Sequence, residues 1–347
     1  MPEGLDATRR EPDEKPEVPA TGTGLPQGKR PGTWTGPTYY GRRQLKSAPF
    51  NNWVVGGYVA LAGMCGSSAL ISAVADLVRG DARETAGVVR RGRYLALLAP
   101  TVGSALLIWD LHTPQRFYNM LRVAKRTSPM SIGTWVLMSF SLFSGLAAVA
   151  QFVADRVPGL HWLRGAARVG GIPAAAAGAG LSTYTSALLA ATSTPLWAAA
   201  PRSLALRFGS SSVASGAAVL ALTERSKRTG RALDTIALAA LATELAGAAI
   251  SRATYKRKGV DAALDGGWGT VEKLGATGMG IVLPLGLFGA SLALSRHRSH
   301  RLSRLAALAT LGGTLLMRVS VMAAGDKSAD DPEISFRFAQ PDNLPGH

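Results

Sequence analysis

Two apolar runs, residues 233–253 and 302–323, each carry one ionisable side chain near the middle: Glu244 in the first and Arg318 in the second. A helix of about 20 apolar residues is long enough to cross a hydrocarbon core of roughly 30 Å. Backbone groups left unpaired in lipid cost several kcal/mol each, so an open chain crosses only as helices. A charge at that depth is expensive unless it faces a bundle interior or a water-filled path. The runs therefore constrain the chain to an all-α integral membrane bundle with polar groups inside it.

The whole sequence repeats this pattern. Its mean hydropathy of +0.15 averages over apolar stretches rich in Ala, Leu, Val and Gly and short loops that hold the charges. About eight spans are expected, at residues 53–78, 93–111, 133–154, 168–194, 206–223, 233–253, 271–294 and 302–323. They are expected to pack as two four-helix bundles, small residues letting the helices approach closely. The fifth reads as the weakest, diluted by Gly209 and Ser210 to Ser212. Pro173 falls in the first turns of its span, where a missing N–H matters little; Pro100 and Pro284 lie deeper and predict kinks. Residues 1–37 read as a disordered polar tail without an apolar signal-peptide core, 38–52 as a pre-membrane segment, 53–324 as the membrane domain and 325–347 as a C-terminal tail.

Charge narrows the function classes. A net charge of +16 in a soluble chain would point to nucleic acid, but here the cations punctuate apolar spans, so topology accounts for them and nucleic acid is not an expected partner. The loops after the first, third, fifth and seventh spans hold Arg79, Arg83, Arg90 and Arg91; Arg156 and Arg164; Arg225, Lys227, Arg228 and Arg231; and Arg296, Arg298, Arg301 and Arg304. The positive-inside rule makes these loops cytoplasmic and puts both termini outside a cell (inner) membrane. The opposite face carries Arg116, Arg122, Lys125, Arg126, Lys256, Arg257 and Lys258, a surface suited to an acidic partner as well as to solubility.

In that topology several polar residues share the outer side. Asp110 ends the second span, followed by His112 and Arg116; Trp135 begins the third, Tyr184 lies in the outer half of the fourth, Glu272 opens the seventh, and Arg318 lies in the outer half of the eighth. Glu244 alone is near mid-depth. A one-sided polar pocket in a helix bundle suits a small amphiphile entering from lipid. Each residue also has a plainer reading. Asp110 can close a helix or pair with Arg116, Trp135 and Trp197 can be interfacial belt residues, Tyr184 a core tyrosine, and Glu244 with Arg318 an ion pair that fixes packing. Histidines do not face each other across a bundle, so haem is not expected, and no group has metal-ligand spacing. Cys65, the one cysteine, allows neither a disulfide nor a thiolate-held iron–sulfur cluster within this chain.

Specific strings go further. They are Thr38-Tyr39-Tyr40-Gly41-Arg42 with Lys46-Ser47-Ala48-Pro49, then Asp110-Leu111-His112-Thr113-Pro114-Gln115-Arg116-Phe117, then Ser128-Pro129-Met130-Ser131-Ile132-Gly133-Thr134-Trp135. Thr183-Tyr184-Thr185, Thr194-Pro195-Leu196-Trp197 and Ser328-Ala329-Asp330-Asp331-Pro332 follow. Over roughly residues 38–340 the chain resembles the NrfD, or polysulfide-reductase membrane subunit, family. The resemblance implies an eight-helix subunit without redox centres of its own, which binds a quinone or quinol near one membrane face, menaquinone rather than ubiquinone. It further implies a ferredoxin-like iron–sulfur partner wired to a molybdopterin or tungstopterin catalytic subunit, formate dehydrogenase-like in the compact branch. The family pattern carries over to Asp110, Pro114, Arg116, Ser128, Pro129, Trp135, Tyr184, Pro195 and Trp197; His112 stands where relatives often have glycine, and the Tyr40-Gly41-Arg42-Arg43 string has arginine where they often have proline.

In that reading Tyr184 and His112 hydrogen-bond the quinone head, Asp110 relays protons, Arg116 or Arg318 keeps Asp110 ionised, and Glu244 extends a proton path. Residues 113–132 and 195–204 dock the iron–sulfur subunit. The chain is then non-catalytic alone but quinone-reactive within an oxidoreductase complex. A structural anchor without a quinone site and a secondary transporter are the rival readings, and the fold does not select the partner's substrate.

Overall fold

A computed structural model describes residues 43–48, 50–79, 83–111, 113–122, 124–293, 299–340 and 343. The expected disordered tail and the tyrosine pair at 39 and 40 lie outside them. The described secondary structure is helical: α1 Asn52–Arg79, α2 Arg83–Leu95, α3 Ser104–Trp109, α4 Asn119–Arg122, α5 Pro129–Arg156, α6 Leu163–Ala190, α7 Pro195–Ala199, α8 Pro201–Thr223, α9 Lys227–Arg257, α10 Gly267–Thr270, α11 Leu283–Ala293, α12 His300–Asp330 and α13 Pro332–Phe338. Local chemistry sets several starts. Ser128 accepts from Ser131 N–H with Pro129 in the first turn of α5, and Ser226 accepts from Thr229 N–H at α9. Asp331 caps α13 through Glu333 and Ile334 N–H.

The long helices form two groups of four. In the first, α1 packs on α2 and α6, and α6 on α5; in the second, α8 packs on α9 and α12, and α12 on α11 with the segment before it. α1 also packs on α8 and α12, so one helix serves both groups. Contact is close because small residues meet. A Cβ on Gly66 of α1 would fall 2.4 Å from the Gly178 carbonyl oxygen of α6, and one on Gly280 would fall 2.4 Å from Gly313 Cα of α12.

Among the described residues seven helices are long and apolar enough to cross a membrane. The one that falls short in composition is α6, the expected fourth span, and not the fifth, which the sequence made look weakest. Ala, Gly, Ser and Thr lower the average apolarity of α6, yet at 28 residues it is long enough to cross. Geometry requires an even number of crossings. Arg43 Nη1 lies 2.9 Å from Asp330 Oδ1, and Ala48 N–H donates to Asp326 Oδ1 at 3.2 Å, so the segments flanking the bundle meet at one end. With α6 as the eighth crossing the chain is a multi-pass membrane protein of eight helices.

Two expectations about proline divide. Pro100 lies in a π-helical turn, Ala99–Gly103, and Pro284 follows a π-helical segment, Val271–Val282. In both places the regular ladder is broken, as a missing N–H demands. Pro173 is instead interior, because α6 begins at Leu163, five residues before the expected start at 168.

Candidate functional site

At the end of the bundle where the flanking segments meet, three side chains of the first group converge. Asp110 caps the C-terminus of α3 and accepts from Asn51 N–H at 3.1 Å, which ties the second crossing to the start of α1. The Tyr184 hydroxyl of α6 donates to the Pro129 carbonyl at 2.8 Å, in the first turn of α5. Tyr58 of α1 lies within electrostatic reach of both Asp110 and Tyr184. Among the described residues its hydroxyl has no hydrogen-bond partner. The sequence reading missed Tyr58. The signal was present, a tyrosine six residues into the first span, but aromatic residues near helix ends are so often belt residues that it did not stand out.

The rest of the expected pocket divides. His112 lies outside the described residues. Arg116 is exposed in the loop before α4, and the described ion pairs do not join it to Asp110. Trp135 is two residues beyond Gly133, which faces Tyr184; two residues turn a helix by about 200°, so Trp135 faces away, onto a cleft of about 430 Å³ between α5 and α6. Trp197 is no belt residue. It is fully buried, its Nε1–H donates to the Val321 carbonyl at 2.8 Å, and Gly325 leaves room for its ring. Neighbouring Pro195, Leu196 and Ala199 are buried too, so the segment expected to dock a partner forms core instead.

Glu244 and Arg318 belong to a second site, inside the second group. Arg318 of α12 donates to the Phe208 carbonyl at 2.9 Å and to Ser212 Oγ at 3.0 Å, with its guanidinium stacked 3.9 Å above the Phe208 ring. These contacts direct it toward α8 and not toward Asp110, which it was expected to hold ionised. Arg207 of α8 pairs with Glu272 at 2.8 Å, and both are buried. Glu244 of α9 reaches Ser211 and lies in the field of Arg207 and Arg318. The described ion pairs do not join Glu244 to Arg318 directly; with Arg207 and Glu272 they make up a buried quartet of two arginines and two glutamates. Its formal charges cancel, which is the condition for keeping four charges out of water. The sequence reading missed Arg207, which is the second residue of the expected fifth span, where a long cation ordinarily reaches the interface.

Hydroxyls extend this network in two directions. Ser211 pairs with Thr314 at 3.2 Å; Ser212 donates to the Ser182 carbonyl at 3.2 Å, and Ser182 Oγ meets Ser67 Oγ at 3.0 Å on α1. Toward the end bearing the flanking segments, a cavity of about 200 Å³ is lined by Arg207, Glu272, Tyr255 and Arg252. It is large enough for several waters, with polar partners to hold them. Nε of Arg207 and of Arg318 has no protein partner among the described residues. Among those residues no group of His, Cys, Asp and Glu could hold a metal ion.

A family model described as "Polysulphide reductase, NrfD" matches residues 44–328. A search of the curated proteins finds no match. The match covers most of the chain, which therefore belongs to the NrfD family, a family of quinone-interacting membrane subunits that work with iron–sulfur and molybdopterin subunits of oxidoreductase complexes.

Proposed function

We propose that the chain holds a quinone head group at Tyr58, Asp110 and Tyr184, and exchanges electrons there with a ferredoxin-like iron–sulfur subunit of a molybdopterin enzyme. The observation that supports this most is that Tyr58 of α1 lies within electrostatic reach of both Asp110 at the end of α3 and Tyr184 of α6. A bound quinone supplies a two-electron, two-proton redox change. The chain's residues supply the rest: the Tyr58 hydroxyl donates to one quinone oxygen, and Asp110 at the helix end takes or returns a proton where water can reach it. Tyr184 keeps the mouth of the pocket in register through its bond to Pro129. His112, one residue beyond Leu111, is the candidate for the second oxygen. A menaquinone is the preferred ligand, and a formate dehydrogenase-like enzyme the preferred complex.

The second group supports proton transfer. Glu244 lies in the field of Arg207, which lines the cavity, and reaches Ser211 of the hydroxyl network, so in this reading it relays a proton between the two. In this reading the end bearing the flanking segments faces outside, and the basic loop 113–132 receives the iron–sulfur subunit.

The test is to purify the chain in mild detergent, extract it with organic solvent, and measure menaquinone and ubiquinone per protein. Retained quinone near one per chain, reduced several-fold in Tyr58→Phe, is the expected result. Quinone absent from both, with the partner subunits still bound, favours the anchor reading.

A further inference from the structure

The cleft that carries Trp135 has no part in either polar site. Its walls are Val136 and Trp135 on α5 and Ala176 with Gly180 on α6, small residues on one helix opening a slot beside the other. Lys125 and Arg126 stand at its mouth. The whole stretch 113–132 contains Arg116, Arg122, Lys125 and Arg126 and no Asp or Glu, so nothing local neutralises the pair. Trp135 is six residues into α5, about 9 Å below its first turn, which is the depth at which headgroups give way to acyl chains.

We propose that this cleft seats one anionic phospholipid, its phosphate between Lys125 and Arg126 and an acyl chain lying along Trp135. The wall of the bundle here is exposed and apolar: Ile132, Leu142 and Leu146 continue the same surface. A peptide laid in the slot would leave backbone N–H groups unpaired in hydrocarbon, whereas an acyl chain has none. A quinone head is uncharged and would leave the two cations unanswered; a phosphodiester answers them. The inference rests only on the chain crossing a membrane and stands apart from the quinone reading.

The experiment uses the full chain in phosphatidylcholine nanodiscs, with brominated lipids as quenchers of tryptophan fluorescence. The signal of Trp135 is isolated as the difference between the wild type and Trp135→Phe. Brominated phosphatidylglycerol should quench it at about tenfold lower mole fraction than brominated phosphatidylcholine. Lys125→Gln/Arg126→Gln should remove that preference, and Ala176→Phe, an exposed position on the lipid side, should fill the slot and protect Trp135 from both lipids. Equal quenching by the two lipids in the wild type, or a preference that survives loss of both cations, overturns the proposal. So does a Trp135 that neither lipid quenches, since something else then fills the cleft.

Discussion

Gly133 of α5 lies so close against the ring of Tyr184 that a Cβ there would fall 1.9 Å from the ring Cζ. The glycine in the Ser-Pro-Met-Ser-Ile-Gly-Thr-Trp string therefore has a local cause: it lets a tyrosine from α6 cross the face of α5 and reach the Pro129 carbonyl. In an ordinary helix Gly→Ala stabilises by about 1 kcal/mol. Here the methyl group must displace a ring, at a cost of typically 1–3 kcal/mol. Gly133→Ala should accordingly lower thermal stability in detergent, and it should reduce quinone-dependent turnover of the assembled complex. Stability equal to or above wild type would show that Tyr184 can move aside freely.

Removing single polar atoms from the first site probes the quinone reading more directly. A hydrogen bond with a charged partner contributes roughly 1.5–3 kcal/mol, so its loss changes an equilibrium by about 10- to 150-fold. Tyr58→Phe and Asp110→Asn should each lower quinone-dependent turnover by at least about tenfold. Activity of the partner enzyme with soluble dyes should stay at the wild-type level, because it bypasses this subunit. Wild-type quinone rates in both variants would move the pocket elsewhere in the family fold.

The buried quartet predicts an asymmetry. Arg318→Ala removes one of the two arginines in whose field the buried Glu244 lies, and leaving a buried charge uncompensated typically costs about 3–5 kcal/mol. The variant should be recovered poorly and melt early. Glu244→Gln keeps the shape and a hydrogen-bonding group, so it should assemble, and proton uptake by reconstituted vesicles during turnover should fall while electron transfer persists. Undiminished uptake would leave Glu244 as a packing residue.

Topology is tested by export-dependent reporters. Alkaline phosphatase joined after His347 should be active, and the same enzyme inserted between α2 and the end of α1 should be silent. The reverse pattern would turn the molecule over, with the sites unchanged.

For docking, the exposed cations Arg116 and Arg122 are the handles. Charge reversal at both should reduce co-purification of the iron–sulfur subunit, with the deficit growing at higher salt. Recovery equal to wild type at every ionic strength places the contact surface away from this loop.

The spans were legible because apolarity over about 20 residues leaves one solution in lipid, and the buried positions of Glu244 and Arg318 followed from the same argument. Partners were less legible. Which carboxylate meets which arginine depends on helix rotation and on neighbours far apart in sequence, so Arg318 was directed to Asp110 when it faces Phe208 and Ser212. Composition also misled at α6. Its Ala, Gly and Ser make it a good surface for other helices and a poor one for lipid, and hydropathy registers only the second property. Trp197 shows the reverse case, an aromatic residue near a helix end that the glycine at 325 draws into the core.

The position of α1 between the two groups bears on how the chain is made. α1 is synthesised first, yet part of its packing surface belongs to α12, and the segment just before it is held by Asp326, 278 residues later. Contacts of such separation form late, because the intervening chain must be inserted before the loop can close. The first half can assemble on α1 while the second is still being translated, but α1 keeps an open flank until the last helix arrives. A chain truncated before α12 would therefore display that flank, with Gly56 on it, to the membrane. Cellular surveillance of half-made subunits has there a surface that exists only while synthesis is incomplete.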